Sequence, residues 1–454
     1  MPIQSINPAT GETVATFAEL SDQEIELKLS KAAVAFDVWR NKSVAERAVV
    51  MKKVGEILKS GAEKYAKLMT LEMGKPLTQG IAEAEKCAFN CEYYVEHAEE
   101  FLRPEVVPTD AGESYLQYDP LGVVLGVMPW NFPFWQVFRA AVPILMGGNV
   151  MILKHASNVP QCAMECEKIF TEAGFPEGVF QYLPISSGKV EGLIRDDRVV
   201  GVTLTGSEYA GSKVAEECGR EIKKTVLELG GSSPFVVLDD ADIDLAAQVA
   251  VMARFQNCGQ SCVASKRFIV MEKIYDEFVE KFRANLAAWK FGDPTEKDTQ
   301  IGPLYSEEGR KVLEDQLNGS VEMGARVVIG GHEIGAVGAF FQPTILADVS
   351  EEMPAFKEET FGPLAAVIKV SSVEEAVRVA NNTRYGLSAS IFTRDIERAK
   401  KLAKDFESGA VFVNALVKSD PRLPVGGIKK SGYGRELGRE GIREFMNIKT
   451  VWVK

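Results

Sequence analysis

The segment RFQNCGQSCVASKRF carries Cys262 in a glycine-containing loop, after an apolar helical pattern and before a strand pattern. A thiol on a loop held by rigid elements can act as a nucleophile, whereas most cysteines are small packing residues. Upstream, LELGGSSPFVV ends an apolar strand pattern at Glu228, followed by Gly230 and Gly231. A carboxylate placed there can serve as a base, although a solvated loop glutamate is the commoner reading. Earlier still, VMPWNFPFWQVFR fixes Asn131 between Trp130 and a proline-bracketed aromatic cluster. Its amide can donate to a developing oxyanion, or simply satisfy a turn.

The remaining cysteines and the histidines carry less. The chain has seven cysteines, an odd number that cannot pair completely, which fits a reducing, cytoplasmic compartment. Cys87 with Cys91 and Cys162 with Cys166 fall four apart in helical surroundings and read as apolar packing pairs. Cys258 has the same spacing from Cys262 but shares its loop, so an oxidised Cys258–Cys262 pair is a candidate redox switch. His97, His155 and His332 are scattered, and no CxxC occurs, so no metal site is expected.

The elements that must position these groups follow from periodicity. Residues 21–102 repeat apolar positions at helical spacing with many Glu, Lys and Ala, which predicts a scaffold of amphipathic helices. Around residues 114–127 the pattern turns strand-like, and a polar hairpin there is placed to leave the body of the fold. Strands and helices then alternate to residue 229, and a second alternating series follows. This predicts an α/β chain with doubly wound parallel sheets, binding ligands at the carboxyl ends of the strands. The expected division is a Rossmann-like cofactor domain over 1–105 and 125–229, a catalytic α/β domain over 230–420, and a small β arm from 106–124 and 431–454. The terminal TVWVK reads as a strand seeking a sheet edge, which a second copy of the chain can supply.

Bulk properties exclude several functions. At 454 residues the chain exceeds a single core, and 46% hydrophobic with 26% charged residues is ordinary globular composition. A net charge of -12 argues against nucleic acid and anionic membranes as partners. The longest apolar stretch, residues 140–153, holds Pro143, Gly147, Gly148 and Asn149 and is too short to span a bilayer. The first residues lack the order of a signal peptide, so a cytoplasmic location is expected. TGSEYAGSK is not a P-loop, because Ser-Lys follows Gly211 where Lys-Ser/Thr is needed.

Taken together, PWNFP at 129–133, TGS at 205–207, LELGG at 227–231, NCGQSC at 257–262 and EETFGP at 358–363 resemble the aldehyde dehydrogenase superfamily. INPATGE near the N-terminus and GGIKKSGYGRE near the C-terminus extend the resemblance over nearly the whole chain. It implies an oxidoreductase in which Cys262 attacks an aldehyde, Asn131 and the Cys262 N–H hold the oxyanion, and Glu228 activates water for thioester hydrolysis. It also implies a cofactor rim of Trp130, Asn131, Lys154, Ser157, Gly206, Ser207, Leu229, Glu359 and Phe361, with Gly206 and Ser207 capping the helix that meets the pyrophosphate.

Within that family, the glutamate that many NAD users carry is Ser157 here. With Lys154 as counter-charge, this favours the 2′-phosphate, so NADP is the expected cofactor and NAD the weaker alternative. PWNFPFWQVFRAAVPILMGGN and the Lys-His-Ala segment resemble the short bacterial succinate-semialdehyde dehydrogenases. That resemblance implies Arg139 as the holder of the substrate carboxylate; Ser419, in the loop VKSDPRLP, is the candidate partner, and Trp135 and Phe132 are the candidate apolar walls. A second family arginine is replaced by Gln256. The implied assembly is a homodimer or a dimer-of-dimers tetramer, and succinate as product would place the reaction beside the tricarboxylic acid cycle. The alternatives are another short aliphatic or ω-carboxy aldehyde, a coenzyme A-acylating enzyme, or an inactive structural protein.

Overall fold

A computed structural model describes residues 3–331 and 337–454. His332 lies outside the described residues. The predicted helical scaffold is present as four helices, Asp22–Trp39, Val44–Ser60, Ala62–Met73 and Leu77–Phe101. Ser21 with Glu24 and Ser43 with Glu46 form reciprocal capping boxes that fix the first two starts. The Leu77–Phe101 helix buries Gly80, Ala84, Cys87, Ala88, Cys91, Tyr94 and Ala98, a stripe at helical spacing. Cys87 and Cys91 are thus packing residues, as are the buried Cys162 and Cys166.

Two sheets follow. The first orders its strands Gly432–Tyr433, Lys224–Glu228, Val199–Thr205, Val123–Met128, Val150–His155 and Phe180–Tyr182. All pair in parallel except Gly432–Tyr433, which is antiparallel to the strand ending at Glu228. The second has seven strands, from Arg326–Ile329 at one edge to Val411–Val413 at the other. Ser265–Met271 and Ser233–Val237 lie inside it, and only the Arg326–Ile329 edge runs antiparallel. Each sheet has its own apolar core, and the scaffold helices pack on the first.

Two of the expected boundaries shift. Val123–Met128 is a central strand of the first sheet, so the arm segment ends with the Glu113–Pro120 strand. Residues 431–445 also belong to the body: Leu437, Ile442 and Phe445 are in the first core, and only Met446–Val453 pairs with Glu113–Pro120 in the arm. Glycine makes this possible, because Gly432 sits at φ 105° where a Cβ would overlap the Leu227 carbonyl. Among the described residues no helix is long and apolar enough to cross a membrane.

Candidate active site

Cys262 is partly exposed, while the other six cysteines are buried. The turn before it is unusual: Asn257, Cys258 and Gly259 all have positive φ, at 54°, 55° and 72°. Three left-handed residues in succession are costly and persist only when surroundings hold them. Asn257 donates its side-chain amide to the carbonyls of Asn131 (2.8 Å) and Gln260 (2.9 Å), and its N–H to Gln79 Oε1 (2.7 Å). Gly259 lies so close to Gly362 that a Cβ would overlap its carbonyl. The nucleophile loop is therefore tied directly to the Asn131 loop.

Asn131 is buried and donates Nδ2 to the Gln260 carbonyl at 3.1 Å, which leaves the second amide hydrogen available. Its own carbonyl accepts from Lys75 Nζ at 3.0 Å, and Lys75 is ion-paired with Glu83. Glu83 Oε1 in turn accepts from the N–H groups of Phe134 and Trp135, each at 2.9 Å, at the start of the Trp135–Met146 helix. A carboxylate at a helix N-terminus is favourable, so this pair sets where that helix begins. His155 helps: its Nδ1 accepts from Ala156 N–H, so Nε2 carries the proton and donates to the Pro133 carbonyl at 2.9 Å. Burial pushes this imidazole down to about 4, which makes it a neutral strut.

Glu228 ends its strand fully buried, and burial followed by the nearby Glu436 carboxylate pushes it up to about 7 against the pull of Arg139. The Cys262 thiol is also raised, chiefly by burial, with Arg139 and Lys266 opposing. The Cys262 backbone N–H has no acceptor among the described residues. Lys266 Nζ donates to the carbonyls of Ser261 (3.0 Å), Cys262 (3.1 Å) and Gly231 and pairs with Glu359 Oε1 at 2.9 Å. It fixes the nucleophile's peptide and Glu359 together.

A cavity of about 220 Å³ reaches Asn131, Cys262 and Glu359, and is also lined by Trp130, Thr205, Leu229 and Phe361. Trp130 stacks on Tyr305 at 3.7 Å and meets Phe361 edge-on at 5.8 Å. The cavity ends at Ser207, which caps the Glu208–Arg220 helix by accepting from Ala210 N–H. Gly206 lines it too, but donates its N–H to the Glu228 carbonyl at 3.0 Å.

The family model described as Aldehyde dehydrogenase family matches residues 1–451. This chain belongs to the aldehyde dehydrogenase family. It is 50% identical over 453 residues, all of both chains, to a Synechocystis protein named probable succinate-semialdehyde dehydrogenase (NADP(+)). It is 49% identical over 458 residues, again all of both, to a Mycobacterium tuberculosis protein named succinate-semialdehyde dehydrogenase (NADP(+)) 1. Among solved structures, succinic semialdehyde dehydrogenase from Streptococcus pyogenes in complex with NADP+ superposes with a TM-score of 0.97 at 42% identity, covering 99% of each chain.

This dehydrogenase has a site that fits a dinucleotide. The cavity is apolar beside Cys262 and ends at a helix N-terminus, which suits a nicotinamide and a pyrophosphate respectively. Lys154 is buried, its pKa lowered by burial, and it has no hydrogen-bond or ion-pair partner among the described residues. A buried ammonium in that state calls for an anion. Ser157, three residues on, is half-buried.

Three expectations meet a different arrangement. Arg139, expected to hold a substrate carboxylate, is ion-paired with Glu436, donates Nη2 to Thr205 Oγ1 at 3.0 Å, and lies 4.0 Å from Glu228. These buried carboxylates need a cation, and Arg139 supplies it. Cys258, considered as a redox partner, is buried in the second core; its Sγ accepts from Gly302 N–H at 3.2 Å, and burial pushes it up to about 12. That is a packing thiol rather than a reactive one. Ser419, expected beside Arg139, instead accepts from Lys86 Nζ at 2.7 Å, and Lys86 sits 4.1 Å over the Trp135 ring. Phe132 lies under Lys75 at 3.9 Å. Lys75, Glu83, Lys86, Asn257, Lys266 and Glu436 went unread in the sequence; the only signal was charge or amide at positions inside otherwise apolar patterns. No group of three potential metal ligands occurs among the described residues.

Proposed function

We propose that this aldehyde dehydrogenase oxidises succinate semialdehyde to succinate with NADP, NAD being the weaker alternative. The observation that carries the chemistry is that Cys262 and Asn131 line one cavity that reaches Ser207, with the buried Glu228 carboxylate close enough to act on the Cys262 thiol. The substrate and cofactor draw support from relatives named for both, about half identical over their whole length.

In this reading the Cys262 thiol gives its proton to Glu228, whose raised pKa suits the exchange, and Sγ bonds to the aldehyde carbon. The free Asn131 amide hydrogen and the Cys262 N–H hold the resulting alkoxide. When bound, the nicotinamide is the hydride acceptor, so collapse of the alkoxide leaves a thioester on Cys262. Glu228 releases the thiol proton to solvent and then takes a proton from water as the water oxygen bonds to the acyl carbon; the C–S bond breaks, and succinate leaves. Lys154 and Ser157 would hold the 2′-phosphate, Ser207 the pyrophosphate, Trp130, Leu229 and Phe361 the ring end, and Glu359 the ribose.

We read the enzyme as a cytoplasmic homodimer or dimer-of-dimers. Ile448, Trp452 and Val453 are exposed on the outer strand of the three-stranded arm, an edge suited to a second copy. Succinate as product places the reaction next to the tricarboxylic acid cycle.

The test follows reduced-nicotinamide absorbance with purified protein, succinate semialdehyde or butanal, and NADP or NAD, with and without coenzyme A. Turnover is expected to be best with succinate semialdehyde and NADP and independent of coenzyme A. Equal efficiency on butanal, or dependence on coenzyme A, overturns the reading.

A further inference from the structure

The loop that carries Ser157 is held at both of its ends. It leaves the Val150–His155 strand, where His155 Nδ1 accepts from the Ala156 N–H at 2.8 Å, and it enters the Pro160–Glu172 helix. That helix has no capping side chain of its own, because Val159 stands at the N-cap, and Pro160 has no N–H to give. The next two amides, of Gln161 and Cys162, are therefore donors in need of partners. Both find them on one carboxylate from a different helix. Glu72 Oε1 accepts from the Gln161 N–H at 3.0 Å, and Oε2 from the Cys162 N–H at 2.9 Å.

Glu72 lies in the last turn of the Ala62–Met73 helix and is only 1% exposed. Its Oε1 also accepts from the hydroxyl of Ser5, a buried residue of the strand Ile3–Ile6, and Gln161 Nε2 donates to the same Ser5 oxygen at 3.0 Å. That strand pairs with Thr13–Phe17 in a two-stranded sheet apart from the two main ones. Gln4, next to Ser5, donates its N–H to the Ser157 carbonyl at 3.0 Å. A buried carboxylate is stable only with its donors in place, so Glu72 ties the start of the helix and the strand at Ser5 into one unit around Ser157.

We propose that Glu72 and the Gln4 N–H are positioning groups for cofactor choice, fixing the Ser157 backbone so that its hydroxyl meets the 2′-phosphate that Lys154 neutralises. This rests on the role proposed above for Ser157 and Lys154. Glu72 and Gln4 act through Ser157 and not on the cofactor itself. Hydrogen bonds to a phosphate are short and depend on angle, so a small displacement of the loop weakens the hold on NADP more than that on NAD, whose 2′-hydroxyl is uncharged.

The experiment measures Kd for NADP and for NAD by titration calorimetry without aldehyde, in wild type, Ser157→Glu, Glu72→Gln and Gln4→Pro. If wild type binds both cofactors equally, or Ser157→Glu leaves the preference for NADP unchanged, the role of Ser157 fails, whatever Glu72 does. Given that role, Glu72→Gln keeps the shape and loses one acceptor, while Gln4→Pro removes only the N–H. Each is expected to lower the preference for NADP at least about threefold through a higher Kd for NADP, with Kd for NAD nearly unchanged. A smaller fall in either variant overturns the proposal. So does a loss of affinity shared equally by the two cofactors, which is what loosened packing alone would give. Should one variant not fold, the other decides; should neither fold, amide hydrogen exchange of the wild type decides. Saturating NADP is expected to slow exchange at Gln4, Gln161 and Cys162 more than saturating NAD does. Equal protection by the two overturns the proposal.

Discussion

Arg139 Nη2 lies 4.0 Å from Glu228 Oε2, with both side chains buried, and Glu436 pairs with the same guanidinium. One cation thus serves two carboxylates, and the charge left over falls on Glu228. Burial and Glu436 raise its pKa to about 7, while Arg139 lowers it.

Glu228 acts as a base only when ionised, so the hydrolytic rate should rise with pH through about 7. Glu436→Gln removes the like charge and should move this acid limb to lower pH. Arg139→Met removes the opposing cation and should move it higher. Each displacement is expected to be about one pH unit, or ~1.4 kcal/mol, read from pH profiles of kcat. Shifts in the same direction for both variants would contradict the arrangement.

Asn131 is positioned by Lys75, Asn257 and Gln260 independently of substrate, so its amide is in place before the oxyanion forms. Asn131→Ala should lower kcat by about 10²- to 10³-fold. Thermal unfolding should show a folded protein, and alkylation of Cys262 by iodoacetamide should persist.

Ser157→Glu brings a carboxylate toward the buried Lys154 ammonium. The ratio of NADP to NAD efficiency is expected to fall at least ~10-fold, because a second anion repels the 2′-phosphate and neutralises its counter-charge. An unchanged ratio would remove Ser157 from the account of cofactor choice.

Gly432→Ala places a Cβ on the Leu227 carbonyl at a φ of 105°. It should destabilise the fold by about 1–3 kcal/mol by thermal or urea unfolding. It should also depress kcat in the fraction that remains folded, since Gly432 pairs with Glu228 itself.

The amino-acid sequence by itself determined the class and the reacting groups. Strand and helix periods predicted the two wound sheets, and Cys262, Asn131 and Glu228 stand in motifs whose local spacing survives folding intact. Tertiary structure decided the charges around them. Glu83 and Lys86 lie on a helix whose 3.6-residue pattern reads as scaffold, with Lys75 just before its start, and periodicity does not tell which polar side chain will be covered by another segment. Arg139 reads as a substrate clamp until Glu436, 297 residues away by number, is folded against it. The energy of a buried charge depends on every neighbour the fold delivers, and those neighbours are distant in the chain.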